Sequence, residues 1–146
     1  AHAHQRRVMH RDIKPDNIIL FADGTLRLAD FGIARSSRVS SDETGSGSLG
    51  YIAPEQALGK PTLRSDVFSL GLVIHELITG KLPAWPFRWP VEGCDRLRRH
   101  HPDLRAFLRR AIEVEARKRY RDAEVMRRAF EPVKRRALRH AAAKRK

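Results

Sequence analysis

The chain has 146 residues, of which 41% are hydrophobic and 32% are charged. This length and apolar content are sufficient for one domain with a buried core, and they exclude a disordered polyelectrolyte. The single cysteine excludes an intramolecular disulfide framework and a Cys-rich zinc module, and it fits a reducing compartment. No apolar run approaches the roughly 18 to 20 residues that a membrane-spanning helix requires.

The net charge of +13 is concentrated in the C-terminal third of the chain. Residues 1–95 contain 11 Lys and Arg residues and 11 Asp and Glu residues, whereas residues 96–146 contain 19 and 6. A nucleic-acid-binding fold would instead distribute its basic residues over the binding face. The balanced part and the basic part are therefore interpreted separately.

The first third of the chain predicts a helix end, a loop and a hairpin. Residues 1–9 have the pattern of the last turn of a helix and its exit, and the polar residues 10–17 are expected to form a loop. Short apolar runs follow at 18–21 and 26–29, on either side of an Asp-Gly pair. Asp-Gly between two apolar runs predicts a β-hairpin.

The clearest predicted helix covers residues 65–79, with Ser65 or Asp66 as its N-cap and Gly80 at its end. Because its apolar residues cover most of the circumference, we expect it to be a core helix. The remaining segments are predicted as loops at 35–48 and 83–95, amphipathic helices at 103–117 and 121–129, and a helix-prone basic stretch with little to bury at 133–146.

Three short motifs occur in a fixed order. The segment 10–17 (HRDIKPDN) matches H-R-D-x-x-x-x-N, Asp30-Phe31-Gly32 follows the hairpin, and Ala53-Pro54-Glu55 follows the Ser-rich loop. Each motif alone is a weak signal, but their order and spacing together are specific. Over roughly residues 1–130, the chain resembles the eukaryotic-type protein kinase family, in particular its bacterial Ser/Thr members.

The resemblance implies a truncated α+β protein-kinase-like fold. The chain would be a mainly α-helical C-terminal lobe with one small β-hairpin, incomplete at its N-terminus, over residues 1–132. The N-terminal lobe, with its strand lysine, is absent from these residues. The glycines of 45–50 (GSGSLG) lie downstream of Asp30 without a strand frame, and we interpret them as a loop. We expect the isolated chain to be inactive or nearly so, and to expose an apolar face where the missing helices would pack.

By the same resemblance, Asp12 orients or deprotonates the substrate hydroxyl, Lys14 neutralises the transferring phosphoryl group, and Asn17 and Asp30 bind Mg²⁺. The implied reaction transfers the γ-phosphoryl group of ATP to a Ser or Thr hydroxyl of a protein substrate. The residue types suit it, because Mg²⁺ takes oxygen ligands and few protein carboxylates. Taken singly, the Asp and Asn residues are also common turn formers, so their joint spacing carries the interpretation.

The resemblance also implies regulatory and substrate-docking positions. Arg11 would bind a phosphate on the activation loop, where Thr44 and Ser46 are the candidate phosphosites. Ser48 would lie in the substrate-docking loop. A Ser- and Gly-rich stretch can also be merely flexible.

Five positions are expected to be structural. His10 would join a hydrophobic spine with Phe31. Asp66 would hold the backbone N–H groups of the catalytic loop, and Glu55 would form an ion pair with Arg119. An Arg–carboxylate pair of this kind is bidentate and fixes the position of both segments.

Two questions remain open at this point. The basic residues 133–146 could form a solvated tail, or a juxtamembrane segment that leads to a membrane helix beyond residue 146. A nucleic-acid contact is the least favoured alternative, because no aromatic residue lies among the cations to stack on bases. The location would be cytoplasmic, or the cytoplasmic side of a membrane protein. The alternative to an enzyme is a pseudokinase or truncated remnant that serves as a partner-binding scaffold, and the residues encoded upstream of Ala1 would distinguish the two.

Overall fold

Helix dominates the computed structural model, which describes residues 1–30 and 49–144. Short 3₁₀ turns occupy Pro15–Asn17, Leu49–Tyr51 and Ala116–Lys118. The helices and strands of the described residues are α1 (His2–Gln5), β1 (Ile18–Leu20), β2 (Leu26–Leu28), α2 (Pro54–Ala57), α3 (Leu63–Thr79), α4 (Cys94–Leu97), α5 (Pro102–Ala111) and α6 (Ala123–Ala143). None of these helices is long and apolar enough to cross a membrane.

The predicted hairpin is confirmed. Strands β1 and β2 pair antiparallel, with Ile18 opposite Leu28 and Leu20 opposite Leu26. The Asp23 carboxylate accepts hydrogen bonds from the Thr25 amide and hydroxyl, at 2.8 and 2.7 Å, and this closes the turn between the strands. The register of this hairpin determines which residues meet at its open end.

Helix α3 is the central helix, and its start differs from the prediction. The N-cap is Thr62, whose hydroxyl and backbone form a reciprocal capping box with Ser65. The expectation that Ser65 or Asp66 caps the helix is therefore wrong, because the helix begins earlier, at Leu63. The helix ends as predicted at Gly80, which has a left-handed φ of 66°.

The core forms where α3 contacts α4, α5 and α6. At Gly71 the helices approach so closely that a Cβ atom would lie 2.8 Å from side-chain atoms of both Ala111 and Ile112. Phe107 of α5 packs against Phe130 of α6, with ring centroids 5.2 Å apart. The buried face of α6 therefore continues the core that α3 and α5 begin.

Helices α5 and α6 have different lengths from those predicted. Helix α5 ends at Ala111 rather than continuing to residue 117, because the carbonyls of Glu113 and Val114 accept hydrogen bonds from a side chain instead of from helical amides. Helix α6 continues through Pro132, because Val133 is buried and holds the next turns against the core. The basic stretch expected to have little to bury is thus helical as far as Ala143, and the proposed boundary at residue 132 lies inside α6.

The hairpin exposes apolar side chains. Leu20 and Leu26, which face each other across the strands, are each 68% exposed, and Ile19 and Phe21 are also exposed. A contiguous apolar surface of this kind is unusual on a small soluble domain. The hairpin is therefore one place where the described residues leave an apolar face uncovered.

A buried guanidinium joins three segments. The Arg119 side chain is fully buried, and the carboxylate of Glu55 in α2 accepts two of its hydrogen bonds, at 2.7 and 3.0 Å. Its remaining donors reach the backbone carbonyls of Arg64 at 3.1 Å, Glu113 at 2.6 Å and Val114 at 3.0 Å. Burial alone would raise the pKa of Glu55, but hydrogen bonds from Arg119 and Ser65 outweigh it and hold that pKa below its ordinary value.

Replacing Arg119 with Met is expected to lower the free energy of unfolding by about 3 to 5 kcal/mol, because it leaves a partly buried carboxylate and several carbonyls without their donor. Urea denaturation of the purified protein measures this loss. The matched control is Arg117→Met, at a side chain that is 90% exposed, where little change is expected. A loss for Arg119→Met no larger than that of the control would contradict the assignment.

His75 of α3 is a second buried polar group, with no solvent exposure. Its Nδ1–H donates to the Lys81 carbonyl at 3.0 Å, whereas Nε2 is buried without a partner among the described residues. Burial lowers the pKa of His75 below its ordinary value, although the bond to Lys81 opposes this shift. The folded protein therefore binds this proton less readily than the unfolded chain does.

We expect the free energy of unfolding to fall as the pH drops below the ordinary histidine pKa of about 6.5, with a slope from His75 of at most about 1.4 kcal/mol per pH unit. In His75→Asn the amide can still donate to Lys81 but cannot titrate, so the dependence between about pH 6.5 and 5 should be flatter. Urea titrations across this range test the difference. Equal slopes in the two proteins would refute the assignment of this pH dependence to His75. Protonation of Glu55 also lowers the free energy of unfolding, but only at lower pH, below the ordinary pKa of Glu55.

Candidate active site

A buried carboxylate anchors the loop that follows α1. Asp66 lies in the first turn of α3, is 2% exposed, and accepts hydrogen bonds from the backbone N–H groups of His10 at 2.7 Å and Arg11 at 2.8 Å. The contact expected from the resemblance is thus present in the structure. Because α3 is the central helix, these bonds attach the loop 10–17 to the buried core of the fold.

Arg11 adopts an unusual backbone conformation at this anchor. Its φ is 68°, in the left-handed region that costs a non-glycine residue on the order of 1 kcal/mol or more. The Arg11 amide is held by Asp66, and its carbonyl accepts a hydrogen bond from the Gln56 side chain at 2.6 Å. These two bonds stabilise a sharp change of chain direction immediately before Asp12.

Asp12, Lys14 and Asn17 form a compact cluster of side chains. The Lys14 ammonium lies 3.5 Å from the Asp12 carboxylate, and the Asn17 amide nitrogen donates to that carboxylate at 3.0 Å and to the Asp12 carbonyl at 2.7 Å. Asn17 is buried, and its two donated bonds orient the amide so that Oδ1 is the atom available as a ligand. The loop therefore presents a carboxylate, an ammonium and an amide oxygen together.

The hairpin brings Asp30 to this cluster. The Ala29 amide donates to the Asn17 carbonyl at 2.8 Å, which extends the register of β1 and β2 and places Asp30 one residue beyond the partner of Asn17. The Nε2–H group of His10 donates to the Ala29 carbonyl at 2.7 Å and ties the strand end to the loop. Asp30 is exposed and has a φ of 52°, a conformation that Asp tolerates better than most residues.

The ligand chemistry of these residues fits a hard divalent cation. Mg²⁺ prefers octahedral oxygen ligands and takes one or two protein carboxylates together with phosphate oxygens. Asn17 offers one amide oxygen, and Asp30 offers an exposed carboxylate on the adjacent position of the hairpin. The arrangement can therefore hold a metal–phosphate group beside the Asp12 carboxylate and the Lys14 ammonium.

Other expected positions have mixed outcomes. The bidentate ion pair of Glu55 with Arg119 is present, and the Arg11 side chain is exposed. The remaining expected positions lie outside the described residues; they are Phe31, Thr44, Ser46 and Ser48.

His4 is a supporting residue that the sequence did not reveal. Its Nε2–H group donates to the Asp66 carboxylate at 2.8 Å, and its Nδ1 atom accepts from the Ala123 amide at 3.0 Å, so the buried ring is the neutral tautomer. It joins α1, α3 and the first turn of α6. No local pattern distinguishes it from its neighbour His2, because both of its partners are distant in the sequence.

Tyr51 and Glu76 form a further contact near the start of α2 that the motifs did not predict. The Tyr51 hydroxyl donates to the Glu76 carboxylate. Burial raises the pKa of Tyr51, and the nearby negative charges of Glu76 and Asp16 raise it further. The hydroxyl therefore remains a hydrogen-bond donor at neutral pH.

Comparison with known proteins agrees with this geometry. The protein kinase domain model matches residues 1–130. The serine/threonine-protein kinase PrkC of Bacillus subtilis is 45% identical over 87 residues, which cover 57% of this chain and 13% of PrkC. The serine/threonine-protein kinase PknA of Nostoc sp. is 40% identical over 138 residues, which cover 86% of this chain and 24% of PknA.

A solved structure described as the apo form of PpkA-294 superimposes with a TM-score of 0.74 at 27% identity, covering 89% of this chain and 49% of that one. The chain spans less than a quarter of the length of the curated relatives named above and about half of this structure. The described helices and hairpin thus correspond to about half of the fold in that solved structure. Since the family model matches residues 1–130, most of its length, the chain belongs to the protein kinase family.

Proposed function

We propose that this chain contributes the hydroxyl-orienting and metal-binding half of a Ser/Thr protein kinase active site. The reaction would transfer the γ-phosphoryl group of ATP to a Ser or Thr hydroxyl of a protein substrate. The observation that carries the proposal is the cluster of Asp12, Lys14 and Asn17 within 3.5 Å, beside the hairpin end that bears Asp30.

In this proposal each residue has one role. The Asp12 carboxylate accepts a hydrogen bond from the substrate hydroxyl and orients its oxygen toward the phosphoryl group. The Lys14 ammonium, already 3.5 Å from that carboxylate, offsets negative charge on the transferring group. The Asn17 amide oxygen and the Asp30 carboxylate would bind Mg²⁺, which when present neutralises charge on the nucleotide phosphates.

Because these 146 residues include neither the strand lysine nor a framed glycine loop, we expect them to be inactive in isolation. The activity assay therefore uses the full-length polypeptide that contains this chain. Sequencing the gene upstream of Ala1 is the first step, because an intact glycine-rich loop and strand lysine there are required for the proposal.

Asp12→Asn in the full-length polypeptide is expected to lower kcat for phosphorylation of a Ser/Thr protein substrate by about 100-fold or more, because the amide orients the hydroxyl poorly and cannot accept its proton. The readout is transfer of labelled phosphate from Mg-ATP. The matched control is Asp23→Asn at the tip of the same hairpin, where the substituted side chain can still accept the turn hydrogen bonds from Thr25.

Equal activity of the Asp12→Asn variant and the control would refute the catalytic assignment of Asp12. Absence of phosphate transfer by the wild-type full-length polypeptide would favour the partner-binding scaffold. Loss of activity in both variants together with loss of the folded circular dichroism signal would indicate a folding defect. The assay therefore includes a thermal melt of each variant.

Arg11 provides the basis for a regulatory proposal. Its guanidinium is exposed beside the anchored loop and would bind a phosphate on Thr44 or Ser46, since a phosphate adds about −1.5 to −2 charges and pairs well with Arg. Mass spectrometry after incubation of the full-length polypeptide with Mg-ATP is expected to find phosphate within residues 36–46. The Asp12→Asn variant should carry none, and an unmodified segment in the wild-type protein would end this proposal.

A further inference from the structure

A cavity of about 560 Å³ lies between α4, α5 and the segment that precedes α4. Three arginines line it: Arg98 at the C-terminal end of α4, and Arg105 and Arg109 on one face of α5. None of the residues that line it belongs to the cluster around Asp12. The cavity is therefore separate from the candidate active site.

The three guanidinium groups are not committed to other contacts. Within residues 1–30 and 49–144, none of these side chains forms a hydrogen bond or ion pair, unlike the arginines of α6 at positions 127, 128 and 136. Arg105 and Arg109 are one helical turn apart, so they extend from the same side of α5. Three uncommitted guanidinium groups around one cavity favour a ligand with several negatively charged oxygens.

The acidic residues of the cavity offset only part of this charge. Glu92 is paired with Lys81 at 3.2 Å, which leaves Asp95 as the acidic side chain of the lining that has no ion pair among the described residues. Burial raises the pKa of the Cys94 thiol at the cavity wall, and Arg105 and Arg98 oppose this while Asp95 adds to it. All four residues line the same cavity.

The remaining wall has the character of a peptide site rather than of a bare anion site. Pro90 and Val91 supply apolar surface, and the partly buried Trp89 has an indole N–H that is shielded and has no acceptor among the described residues. The volume lies within the range of pockets that hold compact organic ligands or short side-chain clusters.

We propose that this cavity docks a phosphoserine- or phosphothreonine-bearing segment of a partner protein. The phosphate would lie among Arg98, Arg105 and Arg109, and the neighbouring residues of the segment would contact Pro90 and Val91. A phosphate is favoured over a single carboxylate because its three terminal oxygens can accept hydrogen bonds from more than two guanidinium groups. Binding here requires no phosphoryl transfer, so the docking proposal and the proposed kinase activity can fail independently.

The test measures fluorescence anisotropy of a labelled short peptide with one central phosphoserine flanked by Ala, Gly and Val. The unphosphorylated peptide and a peptide with Glu at the central position are the ligand controls. We expect the phosphopeptide to bind, with an affinity that falls as salt is added, and the other two to bind about tenfold more weakly or worse.

The pocket variant replaces Arg98, Arg105 and Arg109 with Gln and should weaken phosphopeptide binding about tenfold or more. The matched control replaces Arg99, Arg135 and Arg139 with Gln; it removes the same charge from exposed positions that do not line the cavity and should change affinity less than about twofold. Because all six side chains are exposed, both variants should fold, and a thermal melt checks this.

Asp95→Asn provides an independent test in the opposite direction. The negative charge of Asp95 repels a phosphate, so its removal should tighten phosphopeptide binding about twofold or more. Equal losses in the pocket and control variants would show that binding follows net charge alone and would overturn the proposal. Equal affinity for the Glu peptide and the phosphopeptide, or no binding of the phosphopeptide, would overturn it as well.

Discussion

The site depends on the carboxylate of Asp66. It lies in the central helix, excluded from solvent, and it accepts hydrogen bonds from two consecutive backbone amides and from the ring of His4. A buried carboxylate is stable only when donors replace its water, and here two of the three donors belong to the loop that carries Asp12. The same bonds that satisfy the carboxylate therefore hold the loop in its left-handed turn at Arg11.

Arg119 is a second buried charged group, positive where Asp66 is negative, and it positions other segments. Arg119 uses all five of its donors on Glu55 and on three backbone carbonyls, so it determines where α5 stops and how α2 lies against α3. Glu55 also accepts from Ser65 at 2.7 Å, in the same turn of α3 that contains Asp66. Asp66 and Arg119 thus act at neighbouring positions of α3; Asp66 connects that helix to the loop 10–17, and Arg119 connects it to the segment that follows α5.

The residues proposed to act on substrate and metal are different from the residues that hold them in position. The residues proposed to contact substrate and metal all lie between positions 12 and 30. Side-chain contacts group Asp12, Lys14 and Asn17, and the hairpin register places Asp30 one residue beyond the backbone partner of Asn17. Their supports come from α3, α2 and, through His4, the first turn of α6, which are distant in the sequence. We therefore expect the segment 12–30 to be positioned accurately only when the helical core has formed. The cavity beside α4 and α5 belongs to that core and not to the loop.

Local chemistry was sufficient to predict the hairpin and the end of α3 at Gly80, because each depends on residues only a few positions apart. The roles of Asp12, Lys14 and Asn17 were instead implied by the family resemblance, and the structure places these three side chains together. Tertiary contacts decided the rest. Helix α5 stops short of the predicted end because the Arg119 guanidinium binds the carbonyls of Glu113 and Val114, and α6 passes Pro132 because Val133 is buried in the core. The role of His4 and the cavity of three arginines were not predictable from spacing. Each depends on which helix faces which, and that is determined by the packing of the whole core rather than by any single segment.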